Sequence, residues 1–207
     1  MLFTEKNNVS LLFFNALFKR PSVFLSQYDP KASFVAIIAR ELWWITLFPP
    51  IFLFIGSLSF GWYIGAEHPI HLPVVQLILV CLAYYILLFA GMIGLAAASR
   101  WMAPTYSCTL DLGPHMGVIV GSASPLFLGS IAHLFPHVIF NTLVFIPVLL
   151  WSMFLLYRAV PVILQTDPQR GILHASSLVG VVLVSAVSLL GLSVGLWTLG
   201  LGPNIGV

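Results

Sequence analysis

An all-α integral membrane protein is what this sequence predicts: a bundle of five transmembrane helices preceded by an N-terminal interfacial helix, N-terminus cytoplasmic and C-terminus outside. Three observations carry the prediction. Of 207 residues, 60% are hydrophobic and only 7% charged, against roughly 25% charged in a soluble domain, so the chain cannot cover itself with polar surface and takes lipid as its solvent. Charge-free runs cover residues 42–66, 68–99, 112–157 and 171–207. At about 20 residues per crossing, the third run holds two spans and each of the others one. With five spans, all the basic residues fall on one side: Lys6, Lys19, Arg20, Lys31 and Arg40 before the first span, Arg100 after the second, Arg158 and Arg170 between the fourth and fifth. Positive charge marks the cytoplasmic side.

In chain order, residues 1–40 form a cytoplasmic N-terminal segment and 41–207 the five-span membrane domain. Residues 9–18 read as an interfacial helix, with Phe13, Phe14, Leu17 and Phe18 dipping into lipid and Lys19-Arg20 meeting anionic head groups; a helix packed on the protein's own bundle is the competing reading. The segment ends in Lys-Arg-Pro, where a cleaved signal peptide would place small residues. The first span is expected near 43–64. Its Trp43 and Trp62 lie about 28 Å apart at 1.5 Å per residue, close to a hydrocarbon core of about 30 Å. The second is expected near 74–98, the third near 114–134, the fourth near 138–159 and the fifth near 175–199. "IAHLFPHVIF" (131–140) divides the long third run, because Pro136 ends one helix before the next begins. Prolines also interrupt the spans at Pro49-Pro50, Pro125 and Pro147.

Small residues recur at helix-contact spacing: Ala90, Gly94 and Ala98; Gly117 and Gly121; Gly191 and Gly195. With Pro125 they are expected to set helix packing, since in lipid close backbone approach takes the place of the hydrophobic effect. No Asp, Glu, Lys or Arg is expected deep in a span, which argues against a proton-coupled transporter or an energised pump. Hydrolase chemistry is not indicated: "GSASP" (121–125) lacks the G-x-S-x-G spacing, and H-E-x-x-H does not occur. Cys81 in a span and Cys108 in a loop read as ordinary thiols.

Histidines supply the one chemically specific alternative. His68 and His71 in the first outer loop, His133 and His137 flanking the second, and Glu67 share the outer face, and imidazole with carboxylate suits a divalent metal. Histidines that simply sit at the membrane interface are the competing reading. His115 and His174, placed near the inner surface, are read apart from the outer four. A bis-histidine haem needs facing ligands inside the bundle, and none of the histidines is placed deep enough for one.

"GSASPLFLGSIAHLFP" (121–136), "WSMFLLYRAVPVILQTDPQRGIL" (151–173), "HASSLVGVVLVSAVSLLGL" (174–192) and, upstream, "LFPPIFLFIGSLSFGW" (47–62) together resemble the Yip (Ypt-interacting protein) family, in its small bacterial inner-membrane branch. The resemblance covers about residues 40–200 and implies a five-span bundle with a cytoplasmic N-terminus. Eukaryotic members work in vesicle traffic with Rab-type GTPases through an Asp-Leu-Tyr-Gly-Pro motif. That motif does not occur in this sequence, so the resemblance points to the bacterial branch.

The sequence therefore reads as a non-enzymatic accessory subunit or membrane organiser. Its expected partners are the lipid bilayer and a membrane protein or a second copy, with no nucleic acid. Tyr157, Arg158, Pro161, Asp167 and Arg170 are the candidate partner-binding residues. No cofactor is expected. The alternative is a passive channel or transporter for a divalent metal held by His68, His71, His133 and His137.

Overall fold

The computed structural model describes residue 31, residues 33–63 and residues 69–199, with Trp197 by its backbone alone. The expected interfacial helix at 9–18, and His68 with Glu67, lie outside the described residues. Five helices are long and apolar enough to cross a membrane. They are α1 (Phe34–Phe60), α2 (Val74–Met102), α3 (Leu112–Gly129), α4 (Val138–Ile163) and α5 (Pro168–Thr198).

α1 is not a regular helix, and the sequence says why. Pro49 and Pro50 lack the N–H groups that would bond the carbonyls of Ile45 and Thr46, so the helix breaks at Thr46-Leu47 and restarts at Phe48. The Thr46 hydroxyl bonds back to Leu42 O at 2.7 Å. Upstream, Ile38–Leu42 widens into a π-turn, and the indoles of Trp43 and Trp44 donate to Ala39 O (2.8 Å) and Arg40 O (2.7 Å). The span starts at Phe34, earlier than the expected 43. Arg40 and Glu41 are tolerated there because they neutralise each other, with Arg40 Nε donating to Glu41 Oε1 at 2.9 Å.

α3 is the central helix, packed against α1, α2 and α4. Gly113, Gly117, Gly121, Ser122, Ser124 and Pro125 are all buried. Small residues let neighbouring helices approach, and the Ser122 and Ser124 hydroxyls bond back to Val118 O (2.7 Å) and Val120 O (2.9 Å), so neither hydroxyl is left a loose donor. The expected packing role of Gly117, Gly121 and Pro125 therefore has a physical counterpart. Gly94, Gly191 and Gly195 differ: a Cβ added at any of them would meet no atom within 4 Å. Their spacing is that of a helix contact, yet among the described residues no other helix lies against them.

Each end of the bundle is held by its own bonds. At the end carrying the arginines, the α2–α3 and α4–α5 connections meet where Thr166 Oγ1 donates to Tyr106 O (3.1 Å) and Cys108 Sγ approaches Leu164 O (3.7 Å). At the other end, Trp62 and Ile70 exchange backbone bonds of 2.8 and 2.9 Å. Tyr63 N there donates to Pro136 O (2.9 Å) and Val138 N to Tyr63 O (3.1 Å), which joins the two loops. "IAHLFPHVIF" is a turn, as expected: a 3₁₀ segment Ser130–Leu134, an extended Phe135, then α4 from Val138.

Candidate functional site

Two polar centres lie among apolar helices, one toward each end. The first joins α2, α3 and α5. Ser99, His115 and His174 are each fully buried. Ser99 Oγ lies 2.8 Å from His115 Nδ1 and 3.3 Å from His174 Nε2, and the same His174 nitrogen lies 3.1 Å from Ser99 O. A carbonyl only accepts, so His174 carries its proton on Nε2 and donates to Ser99; the Ser99 hydroxyl donates to His115 Nδ1; and the neutral His115 carries its proton on Nε2. His115 Nε2 and His174 Nδ1, at the two ends of this chain, are buried without a hydrogen-bond partner. Tyr106 stacks on His174 with ring centres 4.9 Å apart and bonds Ser177 Oγ at 2.5 Å. The His115 and His174 rings, expected only to lie near one surface, are packed with centres 6.0 Å apart. Sequence gave their height but not the helix face they occupy.

The second centre, at the end away from the arginines, holds His71, His133 and His137. Asn141 Nδ2 donates to Phe135 O (2.8 Å) and His137 O (3.1 Å), which turns Oδ1 toward His133 Nδ1 at 2.7 Å. A neutral His133 then presents Nε2 as an acceptor to the Tyr84 hydroxyl at 3.4 Å. His137 caps α4, its Nδ1 accepting from Phe140 N at 3.4 Å, and its ring stacks on Tyr63. His71 sits against Gly61, where a Cβ would fall 2.8 Å from its ring. Gly61 has φ +69°, so both space and backbone call for glycine. Tyr63 thus lies against the 135–138 turn, but His133 and His137 serve that turn individually. Among the described residues no three of His, Cys, Asp and Glu converge on a common point.

Each of the five candidate partner residues has an intramolecular role. Tyr157 Oη meets Ser176 Oγ at 3.0 Å, and the Arg158 guanidinium lies 5.4 Å from the Phe154 ring centre. Pro161 lies against Gly171, where a Cβ would meet it at 3.0 Å. Arg170 Nη1 donates to Ser107 Oγ. Asp167 Oδ2 accepts from Gln169 N (3.1 Å) and Arg170 N (3.5 Å), an N-cap with Pro168 as the first residue of α5. Asp167→Ala is expected to cost about 1 kcal/mol, the usual value of such a cap. Thermal unfolding in detergent checks this, with Asp167→Asn as the variant that keeps the cap.

The Yip1 domain family matches residues 16–200. The chain belongs to the Yip1 domain family. Among curated proteins this Yip1-domain chain is similar to "Inner membrane protein YohC" of Escherichia coli strain K12, 30% identical over 153 residues, which is 73% of this chain and 78% of the relative. The same protein from strain O6:H1 matches with the same figures. No solved structure matches. Ser99, though 2.8 Å from His115 Nδ1, is fully buried between helices, whereas a nucleophile needs access to substrate.

Proposed function

We propose that this Yip1-domain protein is a non-enzymatic component of the bacterial inner membrane that acts by binding other membrane components, as an accessory subunit or membrane organiser. The observation that carries the reading is the outward small-residue seam of α5. Every side chain from residue 182 to 196 is exposed, and Gly180, Gly191 and Gly195 face open space. Small residues at this spacing let a second helix approach closely, and among the described residues no other helix does so. Gly91 and Gly94 of α2 are likewise open. The arginine-bearing end faces the cytoplasm in this reading, following the bias of basic loops.

The test exploits the empty space around the seam. Gly191→Leu combined with Gly195→Leu leaves elution of the extracted protein unchanged but lowers recovery of its co-purifying membrane protein at least about tenfold, the equivalent of 1.4 kcal/mol. Unchanged recovery in the folded double variant contradicts the proposal.

A further inference from the structure

α5 is held to the bundle by a short stripe near its start. Its buried residues are Gly171, His174, Ala175 and Leu178, within two turns, whereas every side chain from residue 182 to 196 is exposed. Glycine and alanine bring little packed surface, so His174 and Leu178 are the main side chains of this anchor. His174 is also the polar one: its ring reaches Ser99 of α2, and the Ser99 hydroxyl ties it to His115 of α3.

The centre closes only while both imidazoles are neutral. In the directions derived above, His174 Nε2–H donates to the Ser99 carbonyl and the Ser99 hydroxyl donates to His115 Nδ1. A proton added to His115 goes to Nδ1, which then points a donor at a hydroxyl that has lost its acceptor. One added to His174 goes to Nδ1, which is buried without a partner.

Among the described residues no carboxylate bonds either ring. α2 brings Arg100, next to Ser99 in the chain and of the same sign as an imidazolium. The α2–α3 connection brings Tyr106, whose ring face lies on His174; Cys108, at Leu164 O; and Asp111, exposed and 3.8 Å from Arg100. α5 adds Arg170, bonded to Ser107, and Asp167, which caps the helix. α4 adds Tyr157, bonded to Ser176, and Arg158, over Phe154. α1, packed on α3, carries Arg40 and Glu41, which pair with each other, and Lys31 precedes it.

We propose that Ser99, His115 and His174 form a proton-sensitive latch, which holds the start of α5 on α2 and α3 while both rings are neutral and releases it when they take up protons. His174 lies about 9 Å from Pro168 at 1.5 Å per residue, close to interfacial water once α5 moves aside. The released form binds protons that the closed form excludes, so acid favours release and the latch is closed above about pH 6.5, where a free imidazole is neutral. Below that, the release equilibrium rises about tenfold per pH unit for each imidazole protonated, or about a hundredfold for both. The latch does not depend on what the α5 seam binds.

The test places the full chain in nanodiscs of phosphatidylethanolamine and phosphatidylglycerol. Spin labels are carried on p-acetylphenylalanine at the exposed positions Leu79 of α2 and Leu183 of α5, which leaves Cys81 and Cys108 in place. Pulsed dipolar spectroscopy between pH 8 and pH 5 reads the distance between the two helices. The expected result is one short distance at pH 8 and, below about pH 6.5, a longer population that grows with the slope given above. His115→Asn combined with His174→Gln keeps the bonds without the titration, because the asparagine oxygen stands where Nδ1 stood and the glutamine nitrogen where Nε2 stood. That variant is expected to hold the short distance at every pH. Should it fail to fold, each single substitution is expected to lower the slope from about a hundredfold to about tenfold per pH unit. A distance unchanged from pH 8 to pH 5 in the wild type, or a slope that the substitutions leave unaltered, overturns the proposal.

Discussion

Gly56→Ala is expected to abolish recovery of folded protein, whereas Gly94→Ala leaves it intact. A Cβ on Gly56 would fall 2.3 Å from His133 O, 2.6 Å from Leu134 O and 2.8 Å from Leu134 C. All three are backbone atoms, so no side chain can rotate aside. α1 would have to move off the turn that ends α3, and that turn also carries the clasp between the outer loops. Overpacking a core by a methylene typically costs 1–3 kcal/mol. Here the obstruction is main chain, and the expected loss exceeds about 3 kcal/mol on that scale. Gly94 has nothing within 4 Å, and alanine is the better helix former by about 1 kcal/mol. Size-exclusion chromatography of the detergent-extracted variants distinguishes the two. A monodisperse Gly56→Ala protein with wild-type thermal stability would show that the close approach of α1 is not required.

The second large effect is expected from Ser99→Ala. Removing the hydroxyl strips His115 Nδ1 of its only hydrogen-bond donor in a fully buried site and leaves His174 Nε2 with the Ser99 carbonyl alone. An orphaned buried polar group costs about 1–3 kcal/mol in a protein interior, while interhelical bonds in membranes average ~0.6 and reach ~1.7. Because the three groups lie between α2, α3 and α5 and out of reach of lipid, the expected loss sits near the upper membrane value, about 1.5 kcal/mol. Replacing both partners distinguishes the hydrogen bond from simple filling of space. Ser99→Ala with His115→Leu removes donor and acceptor together, so the double variant is expected to be more stable than the sum of the single losses predicts. Thermal unfolding of the four proteins of the cycle measures the coupling. Strict additivity would mean that the Ser99–His115 bond adds nothing.

The spans were legible because two kinds of signal agreed. Charge-free length located the five crossings, and the sorting of basic residues excluded an even number. Boundaries were less legible where local chemistry overrode charge. Arg40 and Glu41 marked the chain before the first span, but their mutual pairing lets α1 begin at Phe34. Asp167-Pro168 looked like loop, though it is the cap and first residue of α5.

Azimuth was the harder property. Periodicity gives the spacing of Gly94, Gly191 and Gly195 but not whether they face a sister helix or open space. Nor does it place the imidazoles of His115 and His174 on opposing faces beside Ser99. Ser99, His115 and His174 lie near the same end of their helices, among Ala98, Gly117 and Ala175; that coincidence of height with small neighbours was the available signal. Gly56 gave less, being a lone glycine without a partner at i+4. The pairing of His133 with Asn141 and of His137 with Phe140 N in the turn could not be read from residue type or spacing.

The most direct test of a binding role is mass spectrometry of the tagged protein extracted within its native lipid patch, run against an untagged control. The prediction is one further membrane polypeptide, or a second copy of this chain, at near-equal amount. Recovery of a single copy with lipid alone would contradict an accessory or organising role.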